Sequence, residues 1–166
     1  MKGITLIELA IIIVVLSIAI PPLLNLIAEV SQKSVKAEAL NTATSLSQVL
    51  MEELCSKKFD ERDTEDDTGN WSAVLGPDTG ESARADFDDV DDFHGWSGLV
   101  DDQFPYYTAS VTVGYVDEAS PDTILTIPSP LPDNWTPGYK LVIVTITHSL
   151  TGDLIFKTII TPLHSL

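Results

Sequence analysis

Residues 1–28 have the sequence MKGITLIELAIIIVVLSIAIPPLLNLIA, and this segment decides the architecture of the chain. Between Leu9 and Ala28 the only polar side chains are those of Ser17 and Asn25. Twenty mostly apolar residues are about the length of a helix that crosses a bilayer. A cleaved secretory signal has a shorter apolar region followed by a small-residue cleavage site, and no such site follows this run. The segment is therefore predicted to be a membrane helix that stays attached.

A helical pattern continues beyond the apolar segment. Apolar or small side chains recur at spacings of three and four, which predicts one apolar stripe along a helix. The stripe consists of Val35, Ala39, Thr42, Leu46, Val49 or Leu50, and Leu54. One helix is thus expected from about Ile4 to Lys58. Pro21 and Pro22 each lack a backbone donor, so we expect them to kink or locally melt it.

The distal part of the chain changes character twice. Residues 60–105 contain fifteen acids and two arginines with no sustained apolar period, which predicts a surface loop with a short helix near residues 82–90. Two-residue alternation of β-branched and aromatic residues then predicts antiparallel strands. The expected strands are residues 107–116, 139–148 and 154–161, with 123–127 as a candidate edge strand and 149–153 as a hairpin turn.

The predicted fold class is α+β. A three- or four-stranded sheet with one apolar face needs a cover, and the stripe from Val35 to Leu54 is the amphipathic helix available for it. The architecture is then a long N-terminal helix, with a membrane half and an amphipathic half, packed on a C-terminal antiparallel β-sheet. The predicted divisions are a leader of residues 1–3, a membrane helix of 4–28 and a globular domain of 29–166. Within that domain we expect helix to residue 58, the acidic loop over 59–105 and the sheet over 106–162.

The charge distribution bears on partners and chemistry. The formal net charge is -16, and residues 60–166 carry twenty acids against four bases. Such a surface repels phosphate backbones, so nucleic-acid binding is not expected. The chain has neither a phosphate-cradling glycine loop nor a serine elbow, and we predict that it is not an enzyme.

The one cysteine, Cys55, has no intramolecular disulfide partner. It lies at helical spacing from Met51 and next to Leu54. A buried small apolar side chain is the favoured interpretation, and an intermolecular bridge or a reactive thiol is the alternative.

The first nine residues, Met1-Lys2-Gly3-Ile4-Thr5-Leu6-Ile7-Glu8-Leu9, resemble the leader junction of bacterial type IV prepilins and type II secretion pseudopilins. The resemblance implies cleavage by a prepilin peptidase between Gly3 and Ile4, followed by methylation of the new amine. It also places the family's assembly glutamate at Glu8. The implied location is the inner membrane, single-pass with a cytoplasmic N-terminus, and then a periplasmic or extracellular filament.

The chemistry of Glu8 agrees with that role. A carboxylate just inside an apolar span costs about 2.5–3.5 kcal/mol on insertion scales unless it finds a partner. In a filament, the amine of an incoming subunit could pair with a neighbour's Glu8 in low dielectric and set the axial register. The alternative is a side chain at headgroup level that reaches water.

The resemblance extends to a subtype. Residues 87–96, with the sequence FDDVDDFHGW, and the strand near 140–148 are similar to minor pilins of mannose-sensitive haemagglutinin type pili. Pro21 and Pro22 lie nearer Glu8 than the proline of major pilins, and the C-terminal cysteine pair of many major pilins is missing. A minor subunit is therefore expected, with other pilin or pseudopilin subunits, the prepilin peptidase and the inner-membrane assembly platform as partners. A type II secretion pseudopilin and a singly anchored periplasmic calcium- or ligand-binding domain are the alternatives.

Four aspartates, Asp88, Asp89, Asp91 and Asp92, offer the hard oxygen ligands that calcium prefers. Their spacing is not that of an EF-hand loop. A solvated acidic face is the favoured interpretation and a calcium site the alternative, and no cofactor is expected to be required.

Overall fold

A computed structural model describes residues 5–60, 71–72, 74–128 and 138–162. The chain divides into two units, residues 1–40 and residues 41–166. One helix, α1 (Leu6–Cys55), begins in the first unit and ends in the second. It continues through Pro21 and Pro22, so the expected local melting does not occur. The first unit has its large apolar side chains on the surface, and the helix is long and apolar enough to cross a membrane.

The second unit contains a four-stranded antiparallel sheet in the order β1-β2-β3-β4. Its strands are β1 (Ser97–Leu99), β2 (Thr108–Val116), β3 (Tyr139–His148) and β4 (Gly152–Ile160). The three long strands confirm the alternation in the sequence, and β3 has the predicted bounds. The β3–β4 hairpin closes where Thr151 donates to the His148 carbonyl at 3.2 Å, and Gly152 supplies a positive φ of 74°.

The main core joins residues of the helix and the sheet. Leu46, Leu50 and Leu54, spaced four apart on α1, are at most 5 % exposed and belong to one buried cluster with β2 and β3. From the sheet it includes Val111, Val113, Val142 and Val144. Val111 pairs with Val144 and Val113 with Val142, so cross-strand neighbours fill the same layer.

Three expectations are wrong, two of them in the acidic region and one in the connection after β2. The short helix is a 3-10 turn at Asp91–Phe93 and not at residues 82–90. Strand β1 lies inside the segment predicted to be loop, because pairing of Ser97 with Ser110 and of Leu99 with Thr108 supplies its hydrogen bonds. Residues 123–127 form no strand, although Leu125 donates to the Tyr115 carbonyl at 2.7 Å beside β2.

Cys55 is exposed, which overturns its assignment as buried filler. Leu50 and Leu54 face the core, and the next residue lies about 100° further around a helix of 3.6 residues per turn. The thiol therefore points away from the layer that Leu54 fills.

Candidate functional site

The start of α1 contains the first group of candidate residues. Gly3 and Ile4 lie outside the described residues, and Glu8 is in the first turn. The Glu8 amide lies 3.4 Å from Thr5 Oγ1, and the Leu9 amide donates to the Thr5 carbonyl at 3.1 Å. Thr5 therefore has the position of an N-cap and Glu8 that of the third helical residue, the T-x-x-E spacing of a capping box. A negative side chain there also complements the helix dipole.

The segment that follows exposes apolar side chains on every face. Leu6 is 85 % exposed and Ile18 72 %, and residues from Leu6 to Val30 contribute most of the exposed large apolar side chains of the described chain. A helix that is apolar all round occurs in a membrane or within a larger protein assembly. Of its two internal polar side chains, Ser17 has a local partner, because its Oγ donates to the Ile13 carbonyl at 2.7 Å. An exposed Glu29–Lys33 pair at 2.7 Å follows the apolar segment.

The four aspartates do not form the expected solvated face. Asp88 is exposed and lies 3.8 Å from Lys58 Nζ, whereas Asp89, Asp91 and Asp92 are at most 4 % exposed. The Asp92 carboxylate accepts the amides of Asp88 and Asp89, each at 3.0 Å. Asp89 Oδ1 accepts the amides of Asp91 and Asp92 at 2.9 and 3.3 Å. Two of the carboxyls thus stabilise the 3-10 turn itself.

The structure does not bring together the four aspartates that the sequence suggested as calcium ligands. Carboxylate oxygens of Glu81, Asp88 and Asp92 come within 4.8 Å of one another, whereas Asp89 and Asp91 take other partners. Of the three, only Asp88 is exposed, and the buried Asp92 carboxylate already accepts two backbone amides. Calcium binding therefore stays the alternative that the sequence suggested, and the described residues do not test it.

A buried lysine is the main feature that sequence reasoning missed. Lys140, the second residue of β3, is fully buried, and its Nζ lies 2.5 Å from Asp91 Oδ1 and 3.2 Å from Asp60 Oδ2. The Phe59 carbonyl accepts a third hydrogen bond at 2.5 Å. The amine also lies 4.5 Å from the Phe59 ring centroid and 5.2 Å from that of Tyr115. An ammonium has three donors, and all three are directed at oxygens.

The surrounding groups hold this arrangement in place. Asp60 accepts the backbone amide of Ser72 at 2.9 Å and its hydroxyl at 3.1 Å, and the Tyr115 hydroxyl lies 3.0 Å from Asp60 Oδ2. Phe59, Trp71 and Tyr115 form a second apolar core around it. We call Lys140, Asp60, Asp89, Asp91 and Tyr115 the buried lysine cluster.

Local backbone contacts bring the members together. The Val90 amide donates to the Lys58 carbonyl at 3.0 Å, which places the chain before Asp60 beside the turn that carries Asp89 and Asp91. In the sheet, Tyr115 of β2 pairs with Lys140 of β3. The cluster therefore joins the end of the helix region, the acidic turn and the two central strands.

Burial sets the protonation of the cluster. It raises the pKa of Asp89 to about 9, and a hydrogen bond with Asp91 adds to this shift. Burial also raises the pKa of Asp91, opposed by the charge of Lys140. The pKa of Tyr115 is raised mainly by burial and next by the charge of Asp60. Asp89 is thus protonated at neutral pH and donates to Asp91.

The sequence contained a signal for the buried lysine. In β3, Lys140 is separated by steps of two residues from Val142, Val144 and Ile146, which are all buried. Side chains two apart on a strand share a face, so this spacing predicts a lysine on the core side. Such a lysine requires buried acidic partners. The sequence did not predict which acids these are, because Asp60 and Asp91 lie far from Lys140 along the chain.

No protein-family model matches this chain, and neither the curated proteins nor the solved structures include one similar to it.

Proposed function

We propose that this chain is a structural subunit of a type IV pilus-like filament, assembled through the apolar part of α1. The observation that carries the proposal is the exposure of that part on all its faces, from Leu6 to Val30. The resemblance of the first nine residues to a prepilin leader adds the expected processing between Gly3 and Ile4. A minor subunit agrees best with that resemblance, and a type II secretion minor pseudopilin is the related alternative.

In this proposal α1 spans the inner membrane first and afterwards packs against the helices of neighbouring subunits. Both surroundings remove apolar side chains from water, so the same helix surface serves in each. Glu8 is the charged residue near the start of the described apolar segment. Its carboxylate would bind the amine of the next subunit and so determine the axial register.

Two variants at Glu8 and one at Thr5 test the assembly role. Glu8→Ala and Glu8→Gln remove the charge, so both proteins should reach the membrane and both should be depleted from sheared filaments. Thr5→Ala removes the capping oxygen but keeps the carboxylate, and it should still be incorporated. The measurement is the ratio of subunit in filaments to subunit in the membrane fraction. An unchanged ratio for Glu8→Ala would reject the register role, and equal depletion by Thr5→Ala would assign the effect to helix capping.

Processing separates filament assembly from the singly anchored domain. A filament subunit should begin at Ile4 with a methylated amine, and Gly3→Leu should leave an uncut precursor in the membrane. Intact-mass measurement of the filament-incorporated protein gives the answer. Retention of Met1 in that protein would contradict the proposal.

A further inference from the structure

The buried lysine cluster brings an amine and a carboxyl together in an apolar enclosure. Lys140 Nζ and Asp91 Oδ1 are 2.5 Å apart, Lys140 is fully buried, and the Asp91 side chain is 5 % exposed. These residues are 49 positions apart in the chain, so the contact forms only on folding. An ion pair is one outcome of such a contact, and condensation to an amide is the other.

Three features of the enclosure favour condensation. Burial disfavours the charged form of the Asp91 carboxyl, and it is this ionised form that resists attack by an amine in water. Fixed contact replaces a bimolecular encounter, and well-oriented groups reach effective molarities on the order of 10⁵–10⁸ M. The rings of Phe59 and Tyr115 cover the amine, which keeps out the water that would reverse the reaction.

Two further carboxyls stand where proton transfer requires them. Asp60 Oδ2 lies 3.2 Å from the amine and can take one of its protons. Asp89 Oδ1 lies 2.9 Å from the Asp91 amide, and its carboxyl, which burial keeps protonated, shares a hydrogen bond with the Asp91 side chain. The nucleophile therefore has a base beside it, and the electrophile has an acid beside it.

We propose that Lys140 and Asp91 become joined by an amide bond between Nζ and Cγ, formed by the folded chain itself with release of one water molecule.

The step balances without a co-reactant. One ammonium proton passes to Asp60, and the freed electron pair on Nζ attacks Cγ of Asp91 to form the C–N bond. One Asp91 oxygen receives the proton of Asp89 and a second proton from the nitrogen. The C–O bond then breaks and this oxygen leaves as water. Asp60 and Asp89 hold one proton between them before and after, and nothing is oxidised or reduced.

The bond would give the domain a covalent cross-link. The chain has a single cysteine, so an intramolecular disulfide is excluded. An amide from the acidic turn to β3 would close a large loop and restrict the unfolded chain, as a disulfide does. The inference does not depend on filament assembly, because every group in it lies within residues 41–166.

Trypsin tests the proposal directly, because it cleaves after a lysine only when the amine is unmodified. The full chain is extracted in detergent, denatured, digested and measured by mass spectrometry. An unlinked chain yields peptides 85–140 and 141–157. The linked chain should yield one peptide of residues 85–157 whose mass is lower by one water, with fragmentation locating the bond at Asp91 and Lys140.

Lys157 is an internal control in the same digest. It pairs with Asp122 at 3.4 Å, but both side chains are exposed, so it should be cleaved normally. Asp91→Ala should restore cleavage after Lys140. Asp89→Asn should lower the linked fraction, because it removes the proton donor while keeping an oxygen for the amides of Asp91 and Asp92.

Several results would overturn the proposal. Recovery of peptides 85–140 and 141–157 from the wild-type chain would show that no bond forms, and so would a peptide 85–157 of full mass. Attachment of peptide 59–62 to Lys140 would move the bond to Asp60. A water-deficient peptide in Asp91→Ala would likewise exclude Asp91, and an unchanged linked fraction in Asp89→Asn would exclude Asp89 as the acid. The digest of the wild-type chain shows by itself whether the bond forms, so it tests the proposal even if a variant fails to fold.

Discussion

The side chain of Ile124 covers Gly114 of β2 so closely that a Cβ atom at this glycine would overlap it. This contact fixes the connection after β2 against the sheet, together with the hydrogen bond from Leu125 to Tyr115. The φ of Gly114 is not positive, so its backbone conformation does not require glycine. Glycine is needed because the Ile124 side chain approaches too closely for a Cβ atom.

Gly114→Ala should therefore lower the free energy of unfolding by about 1–3 kcal/mol, the usual cost of overpacking. Gly138→Ala is the matched control, since nothing lies within 4 Å of a Cβ there. Denaturant unfolding of the detergent-solubilised chain provides the measurement. Adding Ile124→Ala to Gly114→Ala should recover part of the loss, and failure to do so would show that this contact is not the cause.

Two positions three residues apart on α1 test the helix-on-sheet core. Leu46 is 5 % exposed and belongs to the main core, whereas Val49 is 53 % exposed. Leu46→Asp buries an unpaired charge and should prevent folding of the globular unit, while Val49→Asp should melt like the wild type. Circular dichroism and limited proteolysis report the difference. Similar melting of both variants would contradict this packing.

Arg84 should contribute more to stability than an exposed ion pair does. Its guanidinium binds the Glu53 carboxylate through two nitrogens, donates to the Val100 carbonyl at 3.1 Å and lies 5.2 Å from the Trp96 ring centroid. Arg84→Met leaves a partly buried carboxylate unpaired and should cost about 1–3 kcal/mol. Lys157→Met, which breaks the exposed pair with Asp122, should change stability by less than about 1 kcal/mol. Equal effects of the two substitutions would refute this difference.

The raised pKa of Asp89 predicts that stability falls with increasing pH. Its folded pKa of about 9 exceeds the ordinary value of 3.8, so the folded state binds more protons between these limits. The stabilisation is complete below pH 3.8 and is lost as the pH rises through 9. In the linked form Asp91 loses its charge together with Lys140, but burial, the main cause of the raised pKa of Asp89, is unchanged, so the same direction is expected.

Asp89→Asn is the control for this titration, because an amide cannot ionise but still offers an oxygen to the turn. The wild type should lose melting temperature between pH 6 and pH 9, and Asp89→Asn should lose less. A parallel decline in both proteins would exclude Asp89 as the titrating group.

The local sequence determined the long elements of this protein, the helix α1 and the strands β2, β3 and β4. The twenty-residue apolar run predicted the membrane-length helix. The stripe at spacings of three and four predicted the helix face at Leu46, Leu50 and Leu54. The two-residue alternation predicted the three long strands. These patterns carry information because backbone geometry repeats within a few residues, so each side chain's direction follows from its neighbours. The T-x-x-E spacing at Thr5 and the position of Lys140 in β3 were readable in the same way.

The tertiary structure alone decided the partners. Strand β1 is too short to show a period and exists because Ser110 and Thr108 offer it hydrogen bonds. The aspartates looked like one acidic run, yet folding places Asp91 against Lys140 and leaves Asp88 in solvent. Contacts between residues 49 and 80 positions apart depend on how the whole chain packs, and no local period records them. The buried lysine cluster is therefore a product of the fold, although each of its residues is visible in the sequence.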